Sequence, residues 1–133
     1  VHVLAEPPGP ADLHGTHVVL DAVLGYSLAG APRGPALALV EAANAARRRG
    51  LPVVSLDAPS GQDPDTGQAP GAVVTATPTV TLALPKPGLL TEDGARLTGA
   101  LTLADISVPG WIYQRLGLGP VEPFAASDLV RLR

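Results

Sequence analysis

Apolar positions along the chain fall into short runs, each closed by polar or turn-forming residues. The first clear run, HVVLD, reads as a buried strand over His17–Asp21, ahead of a loop rich in Gly and Ala. Gly34 and Pro35 then open a helix, because proline in a first turn loses nothing by lacking an N–H. Ala36, Leu39, Val40, Ala43 and Ala46 share one face at helical spacing. Arg47–Arg49 stand at the carboxyl end, where positive charge suits the helix dipole, and Gly50 supplies the stop. LPVVSLD, short and β-branched, predicts a second buried strand ending at Asp57. Strand, helix and strand at this spacing make a βαβ unit, hence a parallel sheet. PTVTLAL (Pro78–Leu84) and GALTLADISV (Gly99–Val108) predict two further strands. PGWIYQRLG predicts a short helical turn before the last segment, DLVRLR, and the opening VHVLAEPPGP reads as strand-like. No repeat and no dividing linker is found, so residues 1–133 are expected to form one α/β domain.

Composition sharpens this picture in a few respects. A hydrophobic fraction of 46% with 16% charge argues for a packed core despite 15 Gly and 15 Pro. Aromatic residues make up only 3%, so the core is built from Ala, Val and Leu and offers few base-stacking platforms. The formal charge is −3 and Arg47–Arg49 form the only basic cluster, so nucleic acid is not an expected partner. With no cysteine, thiolate catalysis, disulfides and Cys-type metal sites are excluded. No apolar run approaches membrane-spanning length and nothing reads as a signal peptide, so no membrane partner is expected and the compartment is read as cytoplasmic. Val1 stands where a starting methionine would, which predicts upstream material.

The candidate chemistry lies where the strands end. VVLD closes on Asp21 and VSLD on Asp57, and open parallel sheets bind ligands beyond the carboxyl ends of their strands. The competing reading is that each aspartate merely accepts hydrogen bonds in a following turn; for the pair the two readings weigh evenly. Ser60 lacks the G-x-S-x-G elbow of a nucleophile, and His2, His14 and His17 offer it no evident base. A Pro-Ser-Gly turn better suits capping, or ligation of a hard cation. DPDTG (Asp63–Gly67) lacks EF-hand spacing and its terminal Glu, and reads as a polar turn. Lys86, held between prolines in LPKPG at the same sheet edge, is a candidate to contact an anion or move a proton.

Four segments, DAVLGYSLAGAPRG, VVSLDAPSGQDPDTG, TVTLALPKPGLL and ADISVP, resemble in order and spacing those of the NAD(P)H-hydrate epimerases. The resemblance runs from about Val18 to Pro109, with FAASDLVRL as a further match. It implies a Rossmann-like three-layer sandwich with a mainly parallel sheet, and an isomerase that interconverts the R and S epimers of hydrated NADH and NADPH. A separate or fused ATP- or ADP-dependent dehydratase would then restore the S form, which makes the function one of nicotinamide-nucleotide repair. It also implies a potassium ion (K+) as cofactor, matched by Asp21 and Ser60, with Ser60 acting through its backbone carbonyl. Gly25, Tyr26, Ser27, Leu28, Ala29, Gly30 and Ala31 match the loop that holds the phosphates of the substrate. Asp57 matches the aspartate at the hydrated ring, and Lys86 the lysine of the PK motif.

Two departures accompany the match. Gly25-Tyr26-Ser27 stands where the family reads Gly-Thr-Gly; Tyr26 is expected to fill the loop in preference to stacking on a ring. Arg33 is read equally as a phosphate contact and as a solvated residue at a helix start. More broadly, no Asn/Gly-rich loop of the type Gly-Asn-Asn-Gly-Gly-Asp precedes the first strand. The chain is therefore expected to represent the C-terminal two-thirds of the family domain, lacking its first βα unit. An open sheet edge, together with the family's habit of pairing, makes a homodimer an expected assembly. The alternative function is a non-catalytic nucleotide- or ion-binding relative or interaction domain; a hydrolase using Ser60 is a distant third.

Overall fold

The computed structural model describes residues 3–9, 11–26, 30–118, 124 and 126–133. Its frame is a five-stranded sheet in the sequential order β1 (Val19–Asp21), β2 (Val53–Leu56), β3 (Pro78–Leu82), β4 (Ala100–Ala104) and β5 (Leu129–Arg131). The first four strands run parallel and β5 returns antiparallel to β4. The α/β class and mainly parallel sheet are thus as the hydrophobic pattern predicts.

Helix α1 (Gly34–Arg48) joins β1 to β2, with Pro35 in its first turn and Arg47 and Arg48 in its last. Its end is a Schellman motif: Gly50, at φ 92°, donates to Arg47 O at 2.9 Å, and Leu51 donates to Ala46 O at 3.2 Å. The predicted stripe faces the sheet. Val40 and Ala43 pack on Val53 and Val74, with Val19 and Ala72 at the margin. Asn44, on the same helix, fixes the extended segment before β3. Its amide donates to Val73 O at 2.7 Å, and its oxygen accepts from Thr75 N at 2.9 Å.

Two short helices, α2 (Pro87–Leu90) and α3 (Glu92–Thr98), connect β3 to β4. Neither is long enough to show an apolar period, although Thr91 caps α3 by accepting from Gly94 N and Gly99 ends it at φ 60°. Leu89 of α2 packs with Ala58 and Leu101 in a second apolar cluster, which Leu132 borders. The last helix, α4 (Gly110–Arg115), lies within the stretch read as a helical turn.

Right-handed crossovers between sequential parallel strands put their connections on one face of a sheet. The side chains follow: Asp21, Val53, Ser55, Thr79, Thr81, Leu101 and Leu103 alternate onto the covered face and are all buried. Leu20, Leu56 and Leu129 alternate onto the other face and are exposed at 64%, 40% and 58%. The expected buried strand at His17–Asp21 is therefore corrected to a three-residue edge strand with Val18 and Leu20 open. The strand-like reading of the first residues is corrected too. Val3–Gly9 carry no strand, since Pro7 and Pro8 have no N–H to pair and Val3 is exposed. β3 stops at Leu82 because Ala83 turns to φ 63°.

Candidate active site

Each catalytic candidate reaches the carboxyl edge of the sheet through a specific backbone event. Asp57 follows β2 and sits at φ 69°, a left-handed conformation that is costly for a residue with a side chain. Its N–H still pairs with Val80 O at 2.7 Å, so the backbone stays on the ladder while the side chain swings toward the end of β3. There its Oδ1 accepts from Leu82 N at 3.0 Å, Thr81 Oγ1 at 3.4 Å and the Lys86 ammonium. Lys86 Nζ also donates to Leu82 O at 2.8 Å. The pair is only partly open, with 16% of the Lys86 side chain and 29% of the Asp57 side chain exposed. Among the described residues nothing donates to Asp57 Oδ2, which leaves that oxygen for a ligand.

Asp21 ends β1 and is buried at 2% exposure. Its Oδ2 accepts from Ser55 Oγ at 2.7 Å and Ser60 N at 2.9 Å, and its Oδ1 from Ser60 Oγ at 2.5 Å. Ser60 Oγ in turn accepts from Leu24 N at 2.9 Å and lies 3.3 Å from Leu24 O. Ser60 O accepts from Val74 N at 2.9 Å. The serine is fully buried and its proton is committed to an aspartate, which gives the hydrolase reading no support. The same cluster is where the expected potassium ligands Asp21 and Ser60 meet. It is a buried carboxylate with no cationic partner among the described residues, bonded to two serine hydroxyls, one of which also lies near Leu24 O. No group of three or more His, Cys, Asp or Glu side chains assembles among the described residues, so only this single-carboxylate oxygen set is offered.

The expected phosphate loop begins at Gly25 and Tyr26 and returns at Gly30 and Ala31; the calls on Ser27, Leu28 and Ala29 lie outside the described residues. Tyr26 does not fill the loop. The residue is 61% exposed and its hydroxyl reaches across to Asp65, 2.9 Å from Oδ1 and 3.0 Å from Oδ2. That bond raises the tyrosine pKa above its ordinary 10.0, chiefly because the hydrogen bond to Asp65 favours the protonated phenol. Asp63, by contrast, is the turn residue expected. Its Oδ1 accepts from Asp65 N at 2.8 Å and Thr66 N at 3.0 Å, and those amides, Thr66 first, lower its pKa. Arg33 is exposed at the N-cap of α1, with no side-chain cap bond.

Sequence reasoning missed Ser55, Thr81 and Leu24 as partners of the named residues. Alternation does put Ser55 and Thr81 on the buried face, where a polar side chain needs a partner; nothing local reveals that Leu24 N meets Ser60.

Comparison with known proteins gives the chain's relatives. A family model described as YjeF-related protein N-terminus matches residues 3–88. An NAD(P)H-hydrate epimerase of Dehalogenimonas lykanthroporepellens is 48% identical over 116 residues, covering 86% of this chain and 44% of that protein. A bifunctional NAD(P)H-hydrate repair enzyme of Moorella thermoacetica is 46% identical over 92 residues, covering 69% of this chain and 17% of that one. The crystal structure of the yeast protein YNL200c superposes with a TM-score of 0.67 at 24% identity, covering 88% of this chain and 47% of the yeast chain. The chain thus spans under half the length of these relatives.

Proposed function

The chain belongs to the family of YjeF-related protein N-termini, and on that footing we propose that it carries the reaction centre of an NAD(P)H-hydrate epimerase acting on hydrated NADH and NADPH. The observation that carries the proposal is the Asp57–Lys86 pair, held by a left-handed turn at the carboxyl edge of the sheet, with one carboxylate oxygen left open. Epimerisation at the hydrated carbon breaks its C–O bond while the departing oxygen takes up a proton. Water then returns to the opposite ring face and gives a proton back, so atoms and charge balance over the cycle. Asp57 and Lys86 form a proton-sharing pair suited to both transfers. Leu82 serves as the fixed frame, its N–H on Asp57 and its carbonyl on Lys86.

Gly25–Ala31 would take the phosphates. Asp21 and Ser60 would hold a potassium ion, which when bound supplies a fixed positive charge beside them. We place the reaction in the cytoplasm, with the S epimer passing to an ATP- or ADP-dependent dehydratase. A homodimer is the proposed assembly, supported by the apolar residues open on one sheet face.

The direct test incubates pure R-form hydrate with the protein, with and without K+, and follows the S form chromatographically. Conversion above the spontaneous rate, faster with K+, is expected. Binding of the hydrate without conversion would establish the alternative, a non-catalytic nucleotide-binding relative.

A further inference from the structure

The contact between Tyr26 and Asp65 joins two loops that the chemistry above leaves separate. Asp65 belongs to a turn with almost no freedom. Asp63 N donates to Gln68 O, Gly67 N to Asp63 O and Gly88 N to Pro64 O, each at 2.8 Å. Asp63 Oδ1 binds two further amides inside the turn. Gly67 lies so close to the next element that a Cβ there would meet Thr91 Oγ1 and Gly88 O at 2.5 Å. Gly88 is two residues from Lys86, so the turn and the catalytic lysine share one rigid platform.

The loop bearing Tyr26 touches this platform region at successive points. Leu24 N is bound to Ser60, Tyr26 to Asp65, and Ala31 packs against Gly71, where a Cβ would come within 2.5 Å of Ala31 Cβ. Between the loop and the platform lies a cleft of about 260 Å³ lined by Gly30, Asp63, Thr66, Gln68 and Pro70. Among the described residues of the loop, Tyr26 makes its contact in an exposed setting, whereas Leu24 makes its own part-buried. An exposed aromatic ring held to a single carboxylate is costly in rotamer freedom unless the tie has a consequence.

We propose that Tyr26 and Asp65 are positioning residues: their hydrogen bond ties Tyr26, where the phosphate loop begins, to the platform that carries Lys86, and so fixes the entry to that loop before a nucleotide arrives. The tie uses a neutral donor, since the carboxylate keeps the phenol protonated. Its one proton is shared between the two oxygens of Asp65, 2.9 and 3.0 Å away. The use to which the loop is put rests on the epimerase reading; the tie itself does not.

The test therefore reads the loop and the reaction separately. Tyr26→Phe is expected to speed amide exchange at Leu24–Tyr26 and Gly30–Ala31 at least fivefold in the ligand-free protein. It should raise KM for hydrated NADH about three- to tenfold while kcat stays within twofold. Asp65→Asn keeps an acceptor oxygen and should restore both readouts toward the parent, whereas Asp65→Ala should behave like Tyr26→Phe. The double variant Tyr26→Phe/Asp65→Ala should be no worse than either alone. Unchanged loop exchange in Tyr26→Phe overturns the proposal, as does an Asp65→Asn variant as impaired as Asp65→Ala. If exchange responds as expected but even the parent protein converts no hydrate, the tie stands and the epimerase reading falls.

Discussion

Asp57 combines backbone strain with the proton-carrying role proposed for it. A left-handed aspartate persists only where its surroundings over-determine it, and here the ladder bond to Val80 O and the grip of Leu82 N and Lys86 do so. Replacement by Asn keeps the shape and an acceptor oxygen but removes the proton-carrying function. Asp57→Asn is expected to lower kcat for the hydrate by roughly 10²- to 10⁴-fold with little change in melting temperature; a variant of unchanged rate would remove Asp57 from the chemistry. Asp63 offers a pH signature of a different kind. Its folded pKa lies below its ordinary 3.8, so its bonds to Thr66 N and Asp65 N stabilise the fold above that value. That contribution is lost as pH falls through the depressed folded value. Acid titration of stability should therefore be shallower below pH ~4 in Asp63→Ala than in the parent, the difference in slope marking this one carboxylate. Asp57 was legible as a strand-end acid; its left-handed turn was not, because nothing in VSLDAPSG forces a positive φ on a non-glycine residue.

Among the elements, α1 was the most readable, since its apolar stripe, its proline start and its glycine stop all point the same way. The two-residue clamp from Asn44 was hidden, because an asparagine in a helix looks like a solvated position until the extended segment it meets is placed. Removing it leaves Val73 O and Thr75 N without their partner in a part-buried setting. Asn44→Ala is expected to cost about 2–3 kcal/mol, measured as a shift of the urea midpoint at constant slope. A loss below a few tenths would mean that water replaces both bonds. Helices α2 and α3 escaped notice for the opposite reason. At four and seven residues they are shorter than the apolar period needed to see them, and only Thr91, the acids Glu92 and Asp93 and the Gly99 stop mark them.

At the scale of the molecule, sequential strand order has a direct cost. With the crossovers on one face, the other face keeps Leu20, Leu56 and Leu129 in solvent. Five strands about 4.8 Å apart and three to five residues long give a face on the order of 300 Å². Two such faces together fall short of the roughly 1,200 Å² at which stable interfaces begin. Self-association through this face should therefore be concentration-dependent, with sedimentation showing a monomer at low micromolar protein and dimer above it. Leu20→Lys is expected to abolish the dimer without loss of helix content. A dimer that survives this substitution uses another surface.

The sequence by itself determined the α/β class, the parallel βαβ core, the absence of thiol chemistry and the four polar positions, Asp21, Asp57, Ser60 and Lys86, on which the reading rests. Those follow from local information: hydrophobic period, turn residues and the ends of strands. Only the tertiary structure decided what each polar group does to its neighbours. It joined Asp57 to Lys86 across 29 residues and Asp21 to Ser60 across 39, and it sent Tyr26 outward to Asp65 instead of into its own loop. Such pairings depend on which strand ends meet at one edge, a consequence of register and crossover hand that no local stretch of sequence encodes.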